Sequence, residues 1–156
     1  MEIDRDGNVV VRAPMGFPDW EIRRILQRNS AWVKSAQEKT AERNRLHPEP
    51  TEEERKQYIQ RARKEIPQKV DYYSSRLNVH PTGISITSAR TRFGSCSSKN
   101  RLSFSWRLMA YPEEAIDYVV VHELAHILHH DHSRAFYAVI ESVMPDHKEL
   151  RKLLKQ

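Results

Sequence analysis

The decisive stretch of this chain reads His122-Glu123-Leu124-Ala125-His126-Ile127-Leu128-His129-His130-Asp131-His132. It contains the pattern H-E-x-x-H, in which two histidines are four residues apart. Residues at this spacing lie on one face of an α-helix, so His122 and His126 can each offer an imidazole nitrogen to one metal ion. Glu123 is turned about 100° around the helix from His122, which leaves its carboxylate beside the ion, where it can accept a proton from activated water. The pattern therefore predicts two zinc ligands and a general base on one helix.

A catalytic zinc site needs a third protein ligand and one open position. His129 would extend the same helical face, but three ligands along one straight helix cannot converge on one ion. Asp131 and Ser133 are both good helix caps, which indicates that the chain turns here and starts a new helix after Ser133. We favour His132, at this break, as the third ligand. His129 and Glu141, the latter on the following helix, remain alternatives.

The surroundings of the pattern argue against a chance match. The same predicted helix carries an apolar face made of Ile116, Val119, Val120, Leu124, Ile127 and Leu128. Burying two histidines and a glutamate on such a helix without partners would be costly. A metal site accounts for their presence.

Further runs of the sequence carry a resemblance to a known family. They are Gly7-Asn8-Val9-Val10-Val11-Arg12-Ala13-Pro14, Arg92-Phe93-Gly94-Ser95-Cys96-Ser97, Leu102-Ser103-Phe104-Ser105-Trp106-Arg107-Leu108, Asp131-His132-Ser133 and Met144-Pro145-Asp146. Together with the metal pattern they resemble the YgjP-like metallopeptidases, which belong with the SprT-like proteins among the minimal zincins. The resemblance covers nearly the whole chain. It implies zinc ligands at His122, His126 and His132, with Glu123 catalytic.

The length of 156 residues predicts one domain that spans residues 1–156. A helix opening at Asp19 is predicted to run to a break at His47-Pro48-Glu49-Pro50, with Trp20 and Trp32 on its core face. A second helix begins after Thr51. Residues 84–87 and 102–106 alternate as strands, and residues 97–100 suit a hairpin turn. We expect an α+β, zincin-like fold in which a small, mainly antiparallel sheet packs on helices, with the H-E-x-x-H helix under the sheet.

The charge distribution gives information about partners. The net charge is +5, and no acidic residue lies between Asp71 and Glu113. Arg92 and Arg101 fall inside this basic block, which leads into the metal helix. If the block flanks the site, its positive potential would attract an anionic substrate such as an acidic peptide or a nucleotide. Because we see no pattern of aromatic residues interleaved with these cations on an exposed face, we do not predict a nucleic-acid platform, and nucleic-acid binding stays open.

Two serines are candidates for substrate contact. Ser103 and Ser105 alternate along the strand just before the metal helix, where an edge strand would pair with an extended peptide. Alternatively, they only solvate the outer face of a hairpin.

The cellular compartment is predicted from what the sequence lacks. Cys96 is the single cysteine, so no internal disulfide can form, which agrees with a reducing cytoplasm. We interpret it as a small, buried, apolar side chain. No apolar run approaches the roughly 20 residues that span a bilayer, and the acidic N-terminus lacks the apolar core of a signal peptide. We expect a cytoplasmic protein without membrane contact.

These features predict a zinc-dependent hydrolase, in the first place a metallopeptidase acting on peptides or unfolded proteins. One alternative keeps the metal and changes the substrate to the phosphoanhydride of a nucleotide, held by Arg90, Arg92 or Arg101. Another is a non-enzymatic module that zinc only stabilises; Glu123 argues against it, because a structural site is closed by four ligands and needs no base. Zinc is expected from the ligand type, with nickel or cobalt as substitutes.

Overall fold

The computed structural model describes residues 1–4, 6–46 and 48–155. The chain forms two compact units, residues 1–51 and 52–156. Both contain helices and strands, and the predicted α+β class is confirmed. None of the described helices is both long enough and apolar enough to cross a membrane.

The first unit contains a two-stranded antiparallel ribbon and two helices. The ribbon pairs β1 (Glu2–Ile3) with β2 (Val9–Val10). The helix predicted from Asp19 onward is in fact two, α1 (Asp19–Arg28) and α2 (Ser30–Leu46). They are separated at Asn29, whose side-chain amide donates to the carbonyl of Ile25 at 2.8 Å and ends α1. His47, in the predicted break that follows, lies outside the described residues.

The prediction that Trp20 and Trp32 face a core is wrong. Trp20 is 61% exposed and Trp32 is 46% exposed, and α1 has no buried residue. A unit of two helices and a short ribbon has too little volume to enclose two indole rings.

The second unit carries all the remaining elements. They are α3 (Glu52–Leu77), β3 (Gly83–Thr87), β4 (Gly94–Cys96), β5 (Arg101–Ser105), a 3₁₀ turn (Trp106–Ala110), α4 (Glu113–Leu128), α5 (Arg134–Val143) and α6 (His147–Leu153).

The sheet of the second unit has the strand order β3-β5-β4. β5 pairs parallel to β3 and antiparallel to β4, so the sheet is mixed rather than mainly antiparallel. The predicted turn at residues 97–100 connects β4 to β5. Asn100 occupies it with a positive φ of 60°, a conformation that asparagine tolerates, and its N–H donates to the carbonyl of Ser97 at 2.9 Å.

The core of the second unit is built around α4. This helix starts after Pro112 with Glu113 and Glu114 in its first turn, where proline and acidic residues are favoured. Its side chains pack against α3 and against one face of the sheet. The fully buried residues of this core include Ile66, Val70, Leu102, Phe104, Ile116, Val120, Val121 and Leu124. The H-E-x-x-H helix is thus a central element of the unit, held from both sides.

Candidate metal centre

The last two turns of α4 present His122, Glu123 and His126. The rings of His122 and His126 stand one above the other on the same face, with centroids 5.0 Å apart. Glu123 points to a different side of the helix, toward β4, and is only 6% exposed. The helical spacing thus separates the two imidazoles from the carboxylate, as expected from the sequence.

The chain brings a third histidine back to this pair. α4 ends at Leu128, because His129 adopts an extended conformation with φ −138° and ψ 108°. The next helix begins after Ser133, whose hydroxyl accepts a hydrogen bond from the N–H of Phe136. Between these points His132 turns back toward α4, and its Nε2 lies 3.2 Å from Nε2 of His122. One ring nitrogen from each of His122, His126 and His132 lies within 4.8 Å of the others.

Phe136 forms an apolar floor under the three rings. It is fully buried, and its ring centroid lies 4.9 Å from that of His122, 4.5 Å from that of His126 and 5.0 Å from that of His132. A buried aromatic ring in contact with all three imidazoles restricts their rotation. The donor nitrogens are therefore pre-organised by packing.

Hydrogen bonds on the far side of two rings orient them further. Nδ1 of His126 lies 3.1 Å from the carbonyl oxygen of His129, and Nδ1 of His122 lies 3.4 Å from the hydroxyl of Tyr118. A carbonyl can only accept, so Nδ1 of His126 carries the proton and its Nε2 is left as a free lone pair. This is the arrangement found around metal-binding histidines, where the outer nitrogen donates to a second partner.

The protonation of the histidines also fits metal binding. Burial lowers the pKa of His122 to about 3, with His126, His132 and Arg151 acting in the same direction. Burial likewise lowers the pKa of His126. Neutral imidazole is the form that binds a metal, and three nitrogen donors leave a fourth position open, as in catalytic zinc sites. The residues present fit a zinc ion.

Glu123 fits under β4 because residue 94 is a glycine. A Cβ at Gly94 would lie 2.7 Å from Cγ and 2.8 Å from Oε1 of Glu123, closer than real side-chain atoms approach. Burial raises the pKa of Glu123 to about 7, against the lowering effect of the Arg92 guanidinium. The carboxyl is thus held in a desolvated position beside the histidines.

A cleft of about 320 Å³ opens onto these groups. Its lining consists of Arg92, Gly94, Ser95, Cys96, His122, Glu123, His126, His130 and His132. Cys96 lies at its edge and is half-buried; burial raises the pKa of its thiol, and Glu123 adds to the rise. Cys96 thus packs against the apolar core, and it does not belong to the cluster of possible metal ligands that the described residues form.

A family model for the YgjP-like metallopeptidase domain matches residues 1–59 and 53–156. The chain belongs to this family. Two solved structures, described as the metallopeptidase zymogens abylysin of Pyrococcus abyssi and jannalysin of Methanocaldococcus jannaschii, are similar to it. Both have a TM-score of 0.52; the identities are 21% and 22%, over 58% and 59% of this chain and 93% and 96% of those chains. At these identities the likeness shows a shared zincin-like fold. No curated protein matches the chain.

The predicted ligands and base of this YgjP-like metallopeptidase lie together, and the alternative third ligands do not join them. His129 contributes its backbone carbonyl, to His126, and its imidazole is not in the cluster of possible metal ligands within the described chain. Glu141 lies next to His147, with Oε1 3.3 Å from Nε2 of that histidine. The break after α4 separates both from the ligand positions.

Of the predicted substrate residues, only Arg92 lines the cleft. Side chains alternate between the faces of a strand, and the contact of Gly94 with Glu123 identifies the face toward α4. Ser103 is paired with Ser95, so both lie on the opposite face. Arg101 also lies there and donates from Nε and Nη2 to the hydroxyl of Ser85 at 3.2 and 3.1 Å.

The proposed role of Ser103 and Ser105 in an edge strand is wrong. β5 is the central strand of the three, with its backbone paired on both sides, so it cannot receive a peptide. Ser105 is 1% exposed, and its hydroxyl donates to the carbonyl of Ala89 at 2.7 Å. β4 is the edge strand beside the cleft. The alternation of residues within β5 does not indicate which strand lies at the edge of the sheet.

No role at the site is predicted from the sequence for Tyr118, Phe136 or Gly94. Tyr118 precedes His122 by four residues, so helical spacing alone indicates that they are neighbours. Phe136 and Gly94 reach the site only through tertiary packing, which no local pattern encodes.

Proposed function

We propose that this chain is a zinc-dependent metallopeptidase in which His122, His126 and His132 hold the ion and Glu123 acts as general base. The observation that carries the proposal is the convergence of three imidazoles on one point, with a buried carboxyl beside them that is not part of the cluster. A structural zinc site would use a fourth protein ligand and leave Glu123 without a function.

A bound zinc ion would supply Lewis-acid polarisation of the scissile carbonyl and would activate water near neutral pH. The chain's own residues do the rest. Glu123 takes a proton from the attacking water and delivers it to the leaving amine, in the usual sequence for a general base that later acts as an acid. Its burial under β4 excludes bulk water from this transfer, and Tyr118 and the carbonyl of His129 keep two of the imidazoles in orientation.

The substrate proposed is an extended peptide segment that pairs with β4. This strand is bonded to β5 on one side, and within the described sheet its other edge has no strand partner. Gly94, Ser95 and Cys96 all line the cleft, so a peptide added here would run past Glu123. Main-chain pairing would accept many sequences, which suits unfolded protein segments.

The nucleotide alternative has little support. It relied on Arg90, Arg92 or Arg101 to hold phosphate, but Arg101 lies on the sheet face that points away from α4, and Arg90 is not among the residues that line the cleft. A single exposed arginine beside a buried carboxyl does not make a polyphosphate site.

The test is the Glu123→Gln variant, assayed on a denatured, fluorescently labelled protein. The change is nearly isosteric and removes the proton acceptor, so we expect hydrolysis to fall by about 10²-fold or more while bound zinc and thermal midpoint are retained. His129→Ala is the matched control, because that residue acts through its backbone carbonyl. Full activity of Glu123→Gln would refute the mechanism, and loss of zinc would make Glu123 a ligand.

A further inference from the structure

A second and larger cavity, of about 450 Å³, lies between α5 and α6. We call it the basic cavity. It is lined by Arg134, Tyr137, Glu141, His147, Lys148 and Arg151. Arg134, Tyr137 and Glu141 follow one another at spacings of three and four along one face of α5, and the other three come from α6 and so close the cavity from the opposite side.

The basic cavity has more hydrogen-bond donors than acceptors. It contains three permanent cations, whereas its one acid, Glu141, already lies 3.3 Å from the buried His147. In the part of the chain that the structure describes, Arg134, Lys148 and Arg151 form no ion pair, and the hydroxyl of Tyr137 has no hydrogen-bond partner. Several directed donors around an unfilled space are what a carboxylate requires.

The basic cavity lies close to the metal centre, although the residues that line it differ from those that line the cleft. The ring of Tyr137 lies between two histidines, with its centroid 6.5 Å from that of His132 and 5.9 Å from that of His147. A group bound in the cavity would thus lie one aromatic ring away from the ligand cluster.

We propose that the basic cavity binds a carboxylate of the peptide substrate and makes the enzyme prefer peptides with an acid close to the cleaved bond. The proposal rests on the peptidase function proposed above. An extended peptide advances about 3.3 Å per residue, so this acid would lie within about three residues of the scissile bond. Arg134 and Arg151 can each bind a carboxylate through two parallel hydrogen bonds, and Lys148 adds a point charge. The carboxylate is that of an Asp or Glu side chain or the C-terminal one.

The first experiment compares cleavage of matched peptides. A neutral parent peptide carries one Glu, moved through the positions on both sides of the cleaved bond, and each Glu peptide is paired with its Gln counterpart. We expect a Glu-over-Gln preference in kcat/KM at one or two positions. Arg151→Ala should reduce this preference about tenfold, because a charged hydrogen bond is lost. Lys152→Ala is the matched control: it removes the same charge from the same helix, but its ammonium binds Glu149 outside the cavity, so the preference should persist.

The second experiment separates the two sources of the carboxylate and does not depend on cleavage. Binding of labelled Glu, Gln and C-terminally amidated peptides is measured by fluorescence anisotropy on the Glu123→Gln protein, with and without Arg151→Ala. Loss of binding on amidation identifies the C-terminal carboxylate, and loss on Glu-to-Gln exchange identifies a side chain. Equal binding of all peptides, or binding unaffected by Arg151→Ala, would overturn the basic cavity as a carboxylate site. Selective binding without cleavage by the zinc-loaded wild type would instead refute the peptidase function.

Discussion

At the scale of single residues, the candidate centre depends on where α4 stops. If the helix continued past Leu128, the side chain of His132 would be carried further along the axis, away from His122 and His126. Instead, His129 leaves the helix in an extended conformation, and its carbonyl accepts the Nδ1 hydrogen bond of His126. The residue that ends the helix thus also orients one of the proposed ligands.

This arrangement predicts which histidines zinc binding requires. His122→Ala, His126→Ala and His132→Ala should each lose the ion, because each removes one of three converging nitrogens. His129→Ala and His130→Ala should keep one zinc per chain, since the role of His129 lies in its backbone and His130 is an exposed residue of the cleft. Elemental analysis of the five purified variants decides the matter. If His129→Ala loses zinc and His132→Ala keeps it, the third ligand is His129 and our assignment of His132 is wrong.

At the scale of elements, the packing of β4 on α4 positions the proposed base. The backbone at Gly94 is not left-handed, so conformation does not explain why a glycine is needed at this position. The reason is steric, because a Cβ there would collide with Cγ of Glu123. That atom lies in the middle of a buried side chain and cannot move aside freely.

We therefore predict that Gly94→Ala reduces peptide hydrolysis by about tenfold or more while zinc stays bound. The added methyl group must push Glu123 or the strand itself, and overpacking of this kind costs about 1–3 kcal/mol of stability. Ser103→Ala is the control, since that side chain lies on the other face of the sheet and does not line the cleft. Turnover, zinc content and thermal midpoint are measured on the same preparations. If the Gly94→Ala protein cleaves peptide as fast as the wild type, the position of Glu123 does not depend on a glycine at residue 94.

The elements of the fold differ in whether the sequence predicts them. The metal helix, the cap at Ser133 and the turn at residues 97–100 were predictable, because each is specified by neighbours within about four residues. The strand order was not, since β3 pairs with β5 rather than with β4, the next strand along the chain, and this choice depends on contacts between distant segments. Ser103 was therefore assigned to an edge that belongs to β4. The basic cavity could not be predicted either, because its arginines lie on two helices, and tertiary packing determines how these helices are oriented toward each other.

At the scale of the whole molecule, only one of the two units of the chain contains the buried core and the candidate site. The buried core, the three histidines, Glu123 and the basic cavity all belong to residues 52–156. Residues 1–51 form a unit of their own, with two exposed tryptophans and no buried residue in α1. Our expectation of a single domain over residues 1–156 remains a prediction, as does a cytoplasmic location.

This division predicts that a fragment of residues 52–156 folds and binds zinc without the rest of the chain. It retains the whole hydrophobic core around α4, and a core of this size suffices for a domain of about 100 residues. We expect one zinc per fragment, a cooperative thermal transition, and a rise of that transition on adding zinc, because an ion that binds only the folded state stabilises it. The same fragment with His122→Ala should fold but show no zinc-dependent rise. A fragment that fails to fold, while the full chain folds, would show instead that residues 1–51 belong to the same cooperative domain.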